Sequence, residues 1–184
     1  MYEKFLDHPS KRNSSSCTKL LIVGLIASQE GYHACHNQWQ MEKSAAYFNL
    51  TDKYYIFIRD LKKYNSINSF EVATQKCQEM NGTLVSIHSK EENEFVKNLV
   101  KSTREHLAFI GMYRRGSNFS WTDGSKADYS NWNENEPNND QGIENCGEIT
   151  SRHVFYGIDE GKWNDVPCDK LDVAVCQIEC KMWK

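Results

Sequence analysis

Apolar positions that recur every three or four residues predict two successive helices in the middle of the chain. The first repeat covers residues 70–80 and follows Ser69, a residue type suited to cap a helix. The second covers residues 95–100 and follows Ser89, with Glu92 three positions later in the arrangement of a capping box. Because both stripes have helical spacing, we interpret them as core-facing.

Shorter apolar runs, rich in β-branched and aromatic residues, predict strands on either side of these helices. A short apolar link at residues 84–87 joins the two helices. Since the helices come early and most strands come late, the pattern predicts an α+β fold. The predicted strands are residues 54–58, 107–112, 119–121, 145–149 and 173–178.

Both periodic patterns stop between Thr122 and Asn145, where Asp, Asn, Ser, Gly and Glu dominate. A stretch this long without regular structure in a compact domain usually marks either a functional loop or disorder. Trp121, Tyr129 and Trp132 argue against disorder, because large aromatic side chains favour burial. We therefore expect this loop to be held in place.

Oxygen-bearing side chains cluster in this loop and again about twenty residues later. Three carboxylates and two amides suit calcium, which takes roughly six to eight oxygen ligands. The set contains no His or Cys, which disfavours zinc and copper. The alternative is a solvated surface loop whose carboxylates bind no ion. The candidate calcium ligands are Glu136, Asn138, Glu144, Asn164 and Asp165.

Composition limits the classes of partner. The 184 residues are 39% hydrophobic and 12% aromatic, which is enough for a packed core. A net charge of −3 offers no basic surface, so we expect no nucleic-acid partner. No run reaches the roughly 18 apolar residues of a membrane span, so none is predicted.

Residues 1–31 contain the parts of an export signal. Basic positions precede an apolar core at residues 20–27, and small and polar residues follow. The same segment also fits a buried apolar strand or a short signal anchor. A signal peptide with an N-terminal extension would make this a secreted, extracellular protein.

Cysteine parity agrees with export. Removal of Cys17 with the signal would leave six of seven cysteines, an even set suited to disulfides in an oxidising compartment. The sequence contains no Cys-x-x-Cys pair, so it gives no indication of a zinc site. After the expected signal peptide, three Asn-x-Ser/Thr sequons, at Asn49, Asn81 and Asn118, are compatible with a secreted glycoprotein.

Several motifs, in this order, resemble the C-type lectin-like domain family over roughly residues 54–178. No single motif is decisive, but their joint order is specific. They are Cys77, residues 84–95, residues 109–112, residues 129–132, Glu136-Pro137-Asn138, Glu144-Asn145-Cys146, Trp163-Asn164-Asp165 with Cys168, and Val175-Cys176.

The resemblance implies a fold of two helices flanking small antiparallel sheets, with a long loop stapled by calcium. The carbohydrate-recognition domain would span residues 54–180 and follow a lead-in segment at residues 32–53. The family resemblance implies two disulfides. With Cys17 removed, two further cysteines remain, which can pair with each other. The implied bridges are Cys77–Cys176 and Cys146–Cys168, and the remaining pair is Cys35–Cys180.

In related lectins a Glu-Pro-Asn motif accompanies binding of mannose, N-acetylglucosamine and fucose, whereas Gln-Pro-Asp accompanies galactose. The resemblance thus implies a mannose-type lectin that binds glycans on cell surfaces or glycoproteins, in innate recognition or adhesion. Four ligands would also bind sugar hydroxyls, the carboxylates as acceptors and the amides as donors. The four are Glu136, Asn138, Glu144 and Asn164.

The resemblance also assigns two further features of this site. Asp165 would chiefly hold calcium, and a cis peptide bond would precede Pro137. Asn139 and Asn145 stand where members with a second calcium carry Asp, so one ion is expected and a second site is disfavoured. Weak binding of single sugars would require several domains on one target, which a homo-oligomer would supply.

Two other functions compete with calcium-dependent sugar binding. A lectin-like domain can bind a protein or ice surface instead, although relatives with such roles have often lost the calcium residues. Glu136 and Glu144 could also form a pair of glycosidase carboxylates. Calcium ligands stay ionised, whereas a general acid needs a raised pKa, so we expect no enzymatic activity.

Overall fold

The computed structural model describes residues 45–61, 69–153 and 157–179. The expected signal peptide, Cys17 and the Cys35–Cys180 pair lie outside these ranges. Within them, neither helix is long and apolar enough to cross a bilayer.

Within the described ranges, two α-helices and eight strands form an α+β fold, as predicted. In chain order they are β1 (Ala45–Phe48), β2 (Lys53–Ile58), α1 (Ser69–Glu79), β3 (Thr83–Leu84), α2 (Lys90–Ser102), β4 (Leu107–Arg115), β5 (Asn118–Trp121), β6 (Cys146–Thr150), β7 (Trp163–Val166) and β8 (Ala174–Glu179).

The strands form two antiparallel groups that meet at one parallel contact. Strand order is β1-β2-β8-β4-β6-β7, with β3 added to β8 and β5 to β4. The parallel contact pairs Phe109 of β4 with Ala174 of β8. Because β2 pairs antiparallel with β8, the second strand of the described domain lies directly beside its last strand.

The sheet begins earlier than the sequence pattern indicates. Part of the predicted lead-in forms β1, which pairs with β2 from Ala45 opposite Ile56 to Phe48 opposite Lys53. The Phe48 ring stacks on Phe95 of α2 with centroids 4.6 Å apart. This strand was not predicted, because its short apolar run is surrounded by polar residues.

Helix α1 is followed by an Asn-Gly pair that ends it. Asn81 adopts a left-handed conformation with φ of 58°, and the Gly82 amide donates to the Cys77 carbonyl at 2.9 Å. These features form a Schellman-type end. A Cβ atom on Gly82 would lie 2.4 Å from the Gln177 carbonyl oxygen, so only glycine fits beside β8. The predicted Cys77–Cys176 disulfide ties the same helix to β8.

The predicted capping box at α2 is only half formed. The Ser89 hydroxyl accepts from the Glu92 amide, as expected. The Glu92 carboxylate does not return to Ser89. It accepts instead from the His88 amide at 2.7 Å and from the Tyr55 hydroxyl. Glu92 is 1% exposed, so this carboxylate is a buried link between α2 and β2.

Aromatic packing holds the long loop, which agrees with the prediction that it is ordered. Trp163, at the start of β7, is fully buried and donates through Nε1 to Asn93 Oδ1 at 2.7 Å. The rings of Trp121, Tyr129 and Trp132 all lie within 6 Å of the Trp163 ring, centroid to centroid. The loop is therefore anchored next to the strand that carries Asn164 and Asp165.

Candidate functional site

Strand β7 and the loop beside it bring the five predicted ligands to one edge of the sheet. The Trp163 amide donates to the Asn131 carbonyl at 3.0 Å, and the Asn133 amide donates back to the Trp163 carbonyl at 2.9 Å. These two bonds align the loop with the start of β7. Five residues beyond Asn133, the loop contacts β7 again through the Asn138 amide and Asp165.

Asp165 lies at the centre of this contact. Its side chain is fully buried. The Oδ1 atom accepts from the Asn138 amide at 2.9 Å, and Oδ2 accepts from the Asn139 amide at 3.0 Å. Oδ2 also accepts from Arg114 Nη2 at 2.6 Å. One carboxylate thus orders two consecutive amides of the loop.

Glu136 and Asn138 form an adjacent acceptor and donor near the surface. Asn138 Nδ2 donates to Glu136 Oε1 at 2.9 Å, and the Asn138 amide donates to Glu136 Oε2 at 3.1 Å. The bond between Glu136 and Pro137 is cis, as predicted. Asn138 is exposed and Glu136 is half-buried, so both polar groups are accessible to solvent.

Glu144 closes the loop on the other side. Its Oε2 atom accepts from the Asp140 amide at 2.8 Å, and its own amide donates to Asn139 Oδ1 at 3.1 Å. Two residues later the predicted Cys146–Cys168 disulfide joins the start of β6 to the segment after β7. The half-buried Glu144 is therefore held between the loop and the sheet.

Asn164 is oriented by a residue that the sequence did not single out. Glu148 lies opposite Asn164 in the pairing of β6 with β7, and its Oε1 accepts from Asn164 Nδ2 at 3.0 Å. Glu148 is 2% exposed, and its Oε2 has no hydrogen-bond partner among the described residues. The only available sequence signal was a carboxylate inside a short apolar strand.

Burial, and after it the neighbouring carboxyl groups, raise the pKa values of Glu136, Glu144 and Glu148. Burial, followed by the neighbouring Asp165 carboxyl group, raises the pKa of Glu136 to about 7. Burial and the charges of Asp165 and Asp140 raise the pKa of Glu144. Burial also raises the pKa of Glu148 to about 7. A divalent cation among these groups would reverse this effect, because it favours the ionised forms.

Arg114, at the end of β4, is the second residue that sequence reasoning missed. Its Nη2 atom donates to Asp165, and its Nε atom donates to the Glu144 carbonyl at 3.0 Å. The predicted strand ended at Met112, so Arg114 fell outside it. The observed strand continues to Arg115 and carries the guanidinium to the site.

The donor set fits a hard divalent cation. Three predicted ligands are carboxylates and two are amides, which is the oxygen chemistry that calcium prefers. The buried Glu148 oxygen without a partner is a further potential oxygen ligand beside Asn164. No three His, Cys, Asp or Glu side chains in the described ranges are spaced to hold a metal alone. Any ion here would therefore also need the amide oxygens.

Comparison with known proteins gives a consistent result. The family model described as the lectin C-type domain matches residues 66–178. Collectin-43 from Bos taurus is 36% identical over 121 residues, which cover 63% of this chain and 35% of that protein. The chain thus spans about a third of this relative's length.

Two solved structures show the same fold. The cow C-type carbohydrate-recognition domain of CD23, solved in the presence of a GlcNAc2Man3 oligosaccharide, is 30% identical with a TM-score of 0.57. The match covers 74% of this chain and 94% of that one. A calcium-independent type II antifreeze protein is 23% identical with a TM-score of 0.59, covering 75% and 93%, and shows a likeness of fold alone.

Proposed function

We propose, since this chain belongs to the C-type lectin domain family, that it binds mannose-type glycans through a calcium ion at the site on β7. This proposal rests on the pair formed by Glu136 and Asn138, which lies near the surface and contacts the buried Asp165. It offers an acceptor and a donor side by side. A sugar hydroxyl has one proton and two lone pairs, so it can bond to both groups.

The ligand set divides by burial into two roles. The buried Asp165 would chiefly hold the ion, because its side chain is closed to solvent. The more exposed ligands would bind the ion and also form hydrogen bonds with the sugar. When bound, calcium supplies coordination positions for sugar oxygens. The more exposed ligands are Glu136, Asn138, Glu144 and Asn164.

The bond between Asn138 Nδ2 and Glu136 Oε1 indicates how sugar would bind. These groups satisfy each other in the sugar-free protein. A hydroxyl that donates to Glu136 and accepts from Asn138 would replace this bond without leaving a polar group unpaired. Glu144 and Asn164 offer a second carboxylate and amide for the neighbouring hydroxyl. The order of acceptor and donor would then select mannose, N-acetylglucosamine and fucose over galactose.

A single calcium ion is part of the proposal. Asn139 accepts the Glu144 amide through Oδ1, so this amide oxygen already has a partner. Asn139 also brings no charge to a second ion. A lone shallow site should bind one sugar weakly, with Kd of the order of millimolar. Oligomers of this chain would then be needed for tight binding to cell surfaces.

Extracellular location and binding without catalysis complete the proposal. C-type lectin domains are generally binding proteins without enzymatic activity, and related lectins are often extracellular. The sequon residues Asn49, Asn81 and Asn118 are all exposed, as glycosylation of a secreted protein requires. A calcium ion would keep Glu136 and Glu144 ionised, which opposes a role as general acid.

A glycan array probed with and without calcium tests this function. We expect binding to mannose, N-acetylglucosamine and fucose glycans in calcium, and none in EDTA. As a matched control, Glu134→Gln removes a carboxylate two residues from Glu136 and should leave the pattern unchanged. Calcium-dependent binding to galactose glycans alone would contradict the proposed specificity. An array without any calcium-dependent signal would favour a protein or ice surface as the target.

A further inference from the structure

We infer that Arg114 is a positioning residue, an internal cation that holds the loop around the candidate ion site in its binding shape before any ion arrives. Its guanidinium reaches two separate parts of the site. Nη2 donates to Asp165 Oδ2 at 2.6 Å, and Nε donates to the Glu144 carbonyl at 3.0 Å. Arg114 thereby connects β4, β7 and the far end of the loop.

The surroundings of Asp165 explain why a cation is needed there. Asp165 is fully buried, and Glu136 and Glu144 place two further carboxyl groups nearby. A buried carboxylate without a paired charge is strongly unfavourable. The guanidinium supplies that charge, and its planar fork can bond a side chain and a carbonyl together. Paired with this cation, the Asp165 carboxylate accepts hydrogen bonds from the amides of Asn138 and Asn139.

Arg114 is itself held by its own hairpin. It is the Cα partner of Phe119 where β4 pairs with β5, and its guanidinium carbon lies 4.5 Å from the centroid of the Phe119 ring. The Arg114 amide also donates to the Asn145 carbonyl at 2.8 Å. The side chain is 15% exposed. A cation stacked on an aromatic face and mostly shielded from water has few alternative positions.

Two consequences follow for the proposed calcium site, and this step rests on the proposed function. The order of the loop should depend on Arg114 in the ion-free protein, and calcium should contribute less to that order than Arg114 does. The guanidinium also places positive charge beside Glu144 and Asp165. A second divalent cation approaching that side would be repelled, which favours a single bound ion.

Hydrogen exchange in EDTA tests the role of Arg114 directly. We expect Arg114→Gln to speed exchange of the Asn138, Asn139 and Glu144 amides at least tenfold, with β2 and β8 amides unchanged. Arg114→Lys keeps the charge but cannot make both bonds, so its rates should lie between. Arg115→Gln removes the same charge from the next, exposed position of the strand and should match the wild type. Added calcium should restore protection in Arg114→Gln.

Loop amides of Arg114→Gln that exchange at wild-type rates in EDTA would overturn this inference. If that variant unfolds globally, Arg114→Lys decides the question, and wild-type loop rates in it would overturn the inference too. Calcium titration of the wild type separates the two proposals. Absence of calcium binding together with the expected exchange pattern would reject the proposed function and support the role of Arg114.

Discussion

Asp165→Asn should abolish calcium binding and lower the melting temperature by about 6–12 °C in EDTA. The amide keeps the shape of the carboxylate but loses its charge and one acceptor atom. Its NH2 group would then face a donor, either Arg114 or the amides of Asn138 and Asn139. Removing one partner of a buried charge pair costs about 3 kcal/mol or more, and 1 kcal/mol corresponds to about 2–4 °C in a chain of this size.

Thermal unfolding and calcium titration measure the two effects of Asp165→Asn. Asp169→Asn is the matched control, because it removes an exposed carboxylate four residues further along. That control should unfold and bind calcium like the wild type. An Asp165→Asn protein that unfolds within about 2 °C of the wild type would show that the buried pair contributes much less than this geometry indicates.

The double exchange Glu136→Gln with Asn138→Asp should move sugar preference from mannose towards galactose. It reverses the order of acceptor and donor around Pro137 and keeps the net charge of the pair. Calcium binding should therefore survive while the accepted diol geometry changes. We expect the ratio of mannose to galactose affinity to fall at least tenfold, which corresponds to about 1.4 kcal/mol.

Competition between methyl α-mannoside and methyl β-galactoside measures this ratio for the exchanged protein and the wild type. The single variant Glu134→Gln, in the exposed part of the same loop, should keep the wild-type ratio. An unchanged ratio in a double variant that still binds calcium would mean that other loop residues set the specificity.

The sequence predicted the fold well where periodicity is strong. Helices α1 and α2 follow from their apolar stripes, and the ordered loop follows from its aromatic residues. Strand β7 was missed because its four residues combine the buried Trp163 with two candidate ligands and show no apolar alternation. The two-residue β3 and the short β1 are defined by their pairing with β8 and β2, respectively. The local pattern of apolar residues does not predict such pairing.

The residues of the candidate site were likewise predicted only in part. The order of motifs placed Glu136, Asn138 and Asp165 in one cluster, and the structure brings their polar atoms into contact. Arg114 and Glu148 were missed because their roles arise from tertiary contacts. Arg114 meets a partner 51 positions away, and Glu148 meets one 16 positions away. Each is recognisable only once the strands are paired.

A titration with methyl α-mannoside, in calcium and then in EDTA, tests the central claim most directly. Calcium-dependent sugar binding at the β7 site predicts a saturable signal in calcium with Kd of the order of millimolar. It also predicts no signal in EDTA and full recovery when calcium is returned. Binding of equal strength in EDTA, or none in saturating calcium, would contradict it.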